Sequence, residues 1–467
     1  MRSESTKRAE QGVRVEYTSK PVSGWGGIVA FARFIQSSGV REVLSRALPD
    51  GRTSNNQVGV TDMILQFMVT VLIGGKRFEH VERVRGDEVV RVAVGAKRLG
   101  SASSLTRYLG NFLPGQTEHL QQKLMDLVFG LMGSSSDVVD LDSTVFIRYG
   151  KQQGSLRGYN PEKKRLVSHH PLLAMLAKSK VIAHAWLRAG SASTHRGAQE
   201  FLRELVSQLP EGFRIEALRA DSGFYSRAFL SLLEELGIPY VLATKMVKGF
   251  QVWCASRTGW RRISSNIEVT EAQYESARQR GVFRRMVIIR KAIRREKDGM
   301  LFEIVDYHYQ AFVTSLTTDA AEVWRFYLKR GDCENRIKEL KYDFGADAFC
   351  LQSFTGTEAA FRLVVFTFNL IAIFKTTILR DSKTTLGTIR HKLFVIGASV
   401  GSSGRQTVLR LGLTGRWRDE FQKLLDRLSS WTSSTAAQLV QQLENRGPEC
   451  ASPWKLRVNP LLLLFPN

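Results

Sequence analysis

The chain has 467 residues, too many for one ordinary hydrophobic core, so a central domain with flanking or inserted pieces is expected. Its 67 Lys plus Arg against 44 Asp plus Glu give a formal net charge of +23 and a pI of about 10.1, which makes a polyanion the natural partner. The 43% hydrophobic and 24% charged content excludes an extended disordered chain, and four cysteines with no Cys-x-x-Cys pair argue against both a zinc ribbon and a disulfide framework. The competing reading of the charge is a basic surface that serves solubility or rests on anionic lipid. Met1 to Gln11 is polar, and the most apolar stretches, Met63 to Ile73 and Leu363 to Phe374, are nearer buried-helix than membrane length. A soluble cytoplasmic protein is expected.

From Gly24 to Leu131, apolar residues recur at three- and four-residue intervals, which predicts a helical region broken at Gly74-Gly75. Within it, Ser101 to Phe112 reads as an N-capped short helix whose Arg107 suits either a DNA groove or a solvated face over a core helix. After Gly133-Ser134-Ser135-Ser136 the period changes to that of strands, over Val138 to Ile147, Leu166 to Leu176 and Val181 to Ala189. A helix from Ser193 to Leu209, a strand from Arg214 to Arg219, a helix from Arg227 to Leu236 and a strand from Tyr240 to Ala243 follow. The fold class is therefore α/β, and the β-β-β-α-β-α-β order matches the mixed sheet of the ribonuclease-H-like fold.

Residues 245–305 carry 14 Lys plus Arg against 6 Asp plus Glu, a net of +8, together with Trp253 and Trp260. They predict an inserted β-rich module that touches DNA. A strand from Ala311 to Leu316 and a long helix from Asp319 to Asp343 return to the core, and a buried helix, Phe361 to Leu379, follows. A hairpin around Gly401 to Gly404 and amphipathic helices up to Leu443 complete the chain. On this reading residues 1–135 form a helical N-terminal DNA-binding domain. Residues 136–244 and 306–356 form a catalytic core interrupted by the 245–305 insertion, and 357–467 form a mainly helical C-terminal domain.

Three acidic signals stand out. Asp140 and Asp142 lie two apart in the apolar strand Val138-Val139-Asp140-Leu141-Asp142 and share a sheet face, where a carboxylate needs a partner or a cation. A strand-end salt bridge is the ordinary alternative. Asp221 follows its strand directly, with the turn-forming Ser222-Gly223 behind it, at the carboxyl end where open α/β sheets present functional groups. The third signal is Tyr327, Arg330, Glu334 and Lys341 on one predicted helix. At about 100° per residue, with Tyr327 as zero, the other three fall at about 300°, 340° and 320°, one narrow face. Glu339 and Asp332, at about 120° and 140°, turn away. An exposed salt-bridged face is the bland reading of such a helix.

With these residues in place, the chain resembles cut-and-paste insertion-sequence transposases of the Asp-Asp-Glu type with a Tyr-Arg-Glu-Lys signature, all four signature positions matching in spacing. The stretches Asp140-Leu141-Asp142-Ser143-Thr144, Tyr159-Asn160, His170-Pro171-Leu172, Leu187-Arg188-Ala189-Gly190 and Asp221-Ser222-Gly223-Phe224-Tyr225 look like the insertion-sequence group numbered thirteen-eighty. The resemblance covers about Asp137 to Phe344. It implies that Asp142, Asp221 and Glu334 are the catalytic acids, that the β-rich insertion falls between the second and third, and that a hairpin intermediate is formed.

Carboxylates are the right ligands for Mg²⁺, a hard cation, with Mn²⁺ as a substitute, and two such ions suit phosphodiester cleavage and joining. The expected enzyme is thus a magnesium-dependent DDE transposase whose partner is double-stranded DNA, both the terminal inverted repeats and the target. Arg330 and Lys341 would hold phosphates and Tyr327 would pack against the backbone. Trp253 or Trp260 would stack on a flipped base, unless each is merely core of its module. His169, His170 and His195 are given structural roles. A homodimer is expected because two ends must be brought together. The rivals are a ribonuclease-H-like nuclease without strand transfer and a non-catalytic DNA-binding descendant of a transposase.

Overall fold

The structure is a computed structural model that describes residues 15, 17–50, 57–158, 160, 166–275, 281–295 and 304–445. Tyr159 and the polar stretch Met1 to Gln11 lie outside the described residues. At its centre is one mixed sheet of nine strands: β1 Ser136–Ser143, β2 Leu172–Leu176, β3 Ile182–Trp186, β4 Arg214–Ala220, β5 Tyr240–Ala243, β6 Arg261–Ser264, β7 Ile267–Glu275, β8 Phe283–Arg295 and β9 Ile304–Thr314. Their order across the sheet is β6-β7-β8-β9-β5-β4-β1-β2-β3. The β1–β4 and β4–β5 pairs are parallel, and every other neighbouring pair is antiparallel. The expected α/β class and the succession β-β-β-α-β-α-β are seen, with α1 Ala198–Gln208 and α2 Arg227–Glu235 as the two crossovers.

Several boundaries differ from expectation for identifiable reasons. The first predicted strand ends at Ser143, with a separate two-residue strand at Phe146–Ile147. The second divides at Pro171 into Val167–His169 and β2. Proline brings no N–H to a ladder, which suits a break at that point. Helix α1 begins at Ala198 rather than Ser193, because residues 191–197 form a turn-rich loop instead. The basic segment joins the central sheet. It opens with a helix, Lys248–Ala255, and its strands β6, β7 and β8 extend the central sheet through β9, of which the predicted strand Ala311 to Leu316 is only the end.

The apolar residues form one continuous core from Ile28 to Leu428, with a second, smaller cluster of Val241, Val269, Val287, Ile289 and Phe312. The second cluster is closed by Ala320, Ala321 and Val323 of α3, Ala320–Leu328. A buried helix, Phe354–Phe374, packs on Pro114–Met132, Ala102–Gly110, Val60–Leu72 and β3. With its continuation to Leu379 it is long and apolar enough to cross a membrane, but most of it is buried inside the protein. It also carries hydrogen-bonded polar groups. Arg362 donates to Thr117 O at 2.6 Å, and Asn369 clamps the sheet edge. The expected hairpin near Gly401 is present as Ala398–Ser403 paired with Gln406–Leu411.

Asn369 is fully buried and satisfies both main-chain groups of Ile182 on β3, accepting from its N–H at 2.7 Å and donating to its carbonyl at 2.9 Å. An unpaired strand edge is thereby closed by a helix side chain. Asn369→Leu removes both bonds and leaves two buried main-chain groups without partners, so a loss of about 2–4 kcal/mol is expected. A lowered denaturation midpoint in the full chain is the measurement, and an unchanged midpoint would show that the edge is satisfied some other way.

Candidate active site

The apolar Val139 and Leu141 bury one face of β1, and Val138, Asp140 and Asp142 share the other. The parallel ladder with β4 pairs Asp140 with Arg219 and Leu141 with Ala220. Asp140 meets Arg219 in a bidentate pair at 2.6 and 2.8 Å, both side chains only 2% exposed. Asp140 is therefore spent within the sheet. One step further along the same register, where β1 still runs and β4 has just ended, Asp142 comes beside Asp221.

The turn after β4 fixes the second acid. Asp221 Oδ1 accepts from Gly223 N–H at 2.9 Å, and the Phe224 N–H reaches Asp221 O at 3.2 Å. A Cβ on Gly223 would come within 3.0 Å of both Asp221 Oδ1 and Thr194, so the turn passes too close to its neighbours for a larger residue.

The predicted long helix is two, α3 and α4 (Gly331–Tyr342), joined by a tightened turn in which Arg330 N–H bonds Tyr327 O and Cys333 N–H bonds Arg330 O, both at 2.9 Å. Lys329 and Arg330 keep right-handed helical dihedrals, so the face carrying Tyr327, Arg330 and Glu334 survives the interruption. Arg330 is 6% exposed and points into the sheet end. It touches Asp142 Oδ2 at 2.9 Å, Leu141 O at 3.3 Å and Glu334 Oε1 at 3.4 Å. Tyr327 packs on Phe312 with ring centroids 4.5 Å apart.

The electrostatics show how close these groups are. Burial pushes the Asp142 carboxyl up to about 6, the negative charges of Asp221 and Glu334 add to the rise, and Arg330 with the Ser143 N–H pulls back. Burial pushes the Tyr327 phenol up to about 12 against the pull of Arg330, with Asp221, Asp142 and Glu334 contributing. Burial opposes the charge on Arg330, but Asp142 and the other negative groups outweigh it and hold the guanidinium above its ordinary range.

The structure thus brings Asp142, Asp221, Glu334, Tyr327 and Arg330 together. Lys341 stands apart: its ammonium lies 5.9 Å from the centre of the Tyr342 ring and its charge acts on Asp347 in the following loop. Seven residues of helix separate it from Glu334, about 10 Å along the axis. Glu339, on the opposite face as expected, is not a solvated acid. It is buried and takes Arg336 at 2.9 Å, Leu386 N–H at 2.9 Å and Lys375 at 3.5 Å.

The aromatic candidates already have partners. Trp253 stacks on Phe250 at 5.3 Å and lies against Tyr274 at 5.0 Å, with Arg257 over its ring at 4.6 Å. Trp260 lies under Arg290 at 4.2 Å and gives its Nε1–H to Arg257 O at 2.7 Å. Arg107 is exposed on Ala102–Gly110, whose Leu105 and Leu109 are buried. Three residues given no catalytic part above border the site: His170 is 3.2 Å from Ser143 Oγ, and Ser143 Oγ is 3.1 Å from Thr194 Oγ1. Ser143 follows Asp142 directly in the sequence, whereas the approach of His170 and Thr194 to it is made in space and no sequence spacing displays it.

Among the described residues, no three His, Cys, Asp or Glu side chains are placed close enough to hold one ion. The donor set nevertheless fits a hard divalent cation, being carboxylate oxygen throughout. A cation already bridges two of the acids, the guanidinium of Arg330 between Asp142 Oδ2 and Glu334 Oε1.

A family model described as "Transposase DDE domain group 1" matches residues 5–433. The chain belongs to this family. No curated protein matches it. Among solved structures it is similar to piggyBac transposase in a synaptic complex with hairpin DNA, at 9% identity and a TM-score of 0.43, covering 95% of this chain and 91% of that one. It is also similar to Drosophila P element transposase in a strand transfer complex, at 13% identity and a TM-score of 0.20, covering 44% and 43%. Both likenesses are remote.

The raised Asp142 carboxyl has a consequence for this DDE transposase without added cation. Its unfolded value is about 3.9, while the folded one is about 6, so the native state binds the extra proton between the two and stability falls as pH rises through that window. Above about pH 7 the cost is complete, about 3 kcal/mol. Asp142→Asn removes it. The variant is expected to melt higher than wild type at pH 7.5 and to converge with it near pH 4, in paired thermal melts; a lower midpoint at pH 7.5 would contradict the assigned burial.

Proposed function

We propose that the chain is a magnesium-dependent DNA transposase that binds the terminal inverted repeats of an insertion sequence, cleaves its ends and joins them to target DNA. The observation that carries this reading is the convergence of Asp142, Asp221 and Glu334, from β1, the turn after β4 and α4, onto one end of the sheet inside a family of DDE transposases. The strand order β3-β2-β1-β4-β5 at the heart of the sheet is the arrangement expected of a ribonuclease-H-like core.

The three carboxylates would hold two divalent cations, Mg²⁺ or its substitute Mn²⁺. When bound, these supply Lewis acidity for activating an attacking hydroxyl and stabilising the leaving oxygen. Around them the chain contributes position and charge. Arg330, released from Asp142, would turn its planar fork to a phosphate beside the scissile bond. Tyr327, held neutral by its high pKa, would donate its hydroxyl to the same backbone. Lys341 would act as a point charge further along the helix. The net +8 carried by the sequence of residues 245–305 would favour duplex DNA against this part of the chain.

The test is incubation of the purified full chain with Mg²⁺ and a linear DNA carrying the genomic sequence that flanks its gene. Cleavage at a pair of inverted repeats, leaving ends that insert into a second plasmid, is the expected result. Cleavage without insertion would favour a simple nuclease, and binding without cleavage a DNA-binding descendant. A hairpin at the cut end would show as a product of doubled length on a denaturing gel.

A further inference from the structure

The carboxyl end of β1 is held by a hydrogen-bond chain that the proposed chemistry leaves unused. His170 is 3% exposed, and Arg188 grips its main chain from both sides. The His170 N–H donates to Arg188 O at 3.0 Å, and Arg188 Nε donates to His170 O at 3.0 Å. The ring runs from Nδ1, 2.5 Å from the Ala192 carbonyl, to Nε2, 3.2 Å from Ser143 Oγ. A carbonyl only accepts, so Nδ1 carries the proton and Nε2 is bare. Burial holds the imidazole below its ordinary pKa, against the pull of the Ala192 carbonyl and Asp221, and the charge of Arg188 adds to the lowering.

The remaining directions follow. Ser143 must give its hydroxyl proton to His170 Nε2, and Thr194 Oγ1, 3.1 Å away, must give its own to Ser143 Oγ. The Ser143 amide N–H donates to Asp142 Oδ1 at 2.8 Å. Arg188 closes the other side of the same loop, donating to Ser193 O at 3.2 Å and Arg196 O at 2.8 Å. Thr194 also abuts Gly223 in the Asp221 turn.

We infer that His170 is a positioning residue, which ties the 188–196 loop to the end of β1 through Ser143 and Thr194 and so sets the direction in which Asp142 presents its carboxylate to a divalent cation. This rests on reading Asp142, Asp221 and Glu334 as cation ligands. Partners that orient a ligand through a hydrogen bond commonly change cation affinity or activity 10–100-fold, as an order of magnitude, when they are removed. The ring of His170 is therefore expected to matter without touching cation or DNA.

Two variants separate its two nitrogens. His170→Asn keeps a donor for Ala192 O but loses the acceptor for Ser143, whereas His170→Gln reaches Ser143 with its amide oxygen. Mn²⁺ binding to the full chain is measured by calorimetry and end cleavage by its Mg²⁺ dependence. His170→Asn is expected to weaken Mn²⁺ binding about 10-fold or more and to lower kcat with KM for DNA unchanged, and His170→Gln to recover most of both. Should His170→Asn fail to fold, Ser143→Ala carries the same test with a shift in the same direction. Wild-type Mn²⁺ affinity in His170→Asn or, if it is used, in Ser143→Ala overturns the inference, as does a Gln variant as weak as the Asn one. If the wild type itself shows no Mn²⁺ site that Asp142→Asn abolishes, the ligand reading falls and this inference with it; if that site exists and His170→Asn leaves it intact, only the inference falls.

Discussion

Asp142→Asn, Asp221→Asn and Glu334→Gln are each expected to lower Mg²⁺-dependent end cleavage by about 10³-fold or more, the consequence of removing several kcal/mol of charge stabilisation from the transition state. Duplex binding should stay within about twofold of wild type, because phosphate contacts of the basic surface, not these acids, supply that affinity. The three changes act on different elements, β1, the turn after β4 and α4, so equal losses would point to one shared cage rather than three local faults. Single-turnover cleavage and a gel-shift titration, run on the same preparations, make the measurement. Any one variant that cleaves at the wild-type rate removes its residue from the site. Because Glu334 is 57% exposed and Asp142 is 13% exposed, Glu334→Gln should leave stability nearly unchanged.

The largest effect on stability is expected two residues from the first acid. Asp140→Ala leaves Arg219 charged, 2% exposed and stripped of both its short carboxylate contacts, a change that typically costs about 3–5 kcal/mol. Among the described residues, Arg219 then keeps a bond to Phe326 O at 2.7 Å and a face against the Phe326 ring at 4.9 Å. The pair itself is not a strong source of stability. Burial raises the Asp140 carboxyl above its ordinary range even with Arg219 attached. Replacing both partners, Asp140→Leu with Arg219→Met, should therefore restore most of what Asp140→Ala loses. Chemical denaturation of the three proteins measures this, and a double variant no better than the single one would refute it. The two acids of one strand are thus expected to differ in sign, loss of the Asp142 charge abolishing cleavage while raising the melting point, and loss of Asp140 lowering stability.

Some of this was legible in the residues alone. The alternation around Asp140 and Asp142, the Asp221 turn and the spacing of Tyr327, Arg330 and Glu334 are local features, and local periodicity places side chains on faces before any packing is known. Because those periods are short, the central strands and both crossover helices could be read within a few residues, and the net charge of +23 pointed to a polyanion without any fold at all. Tertiary structure decided whatever depended on a partner far along the chain. Family resemblance singled out Asp142, but the period of the strand treats Asp140 and Asp142 alike, and the physical difference between them is Arg219, 79 residues after Asp140, which neutralises one and leaves the other. The break at Arg330, the sheet shared by the basic segment and the core, and the chain from Ala192 through His170 to Ser143 are of the same kind. A hydrogen bond or a buried charge pair belongs to two segments at once, so it becomes visible only when the fold has brought both together.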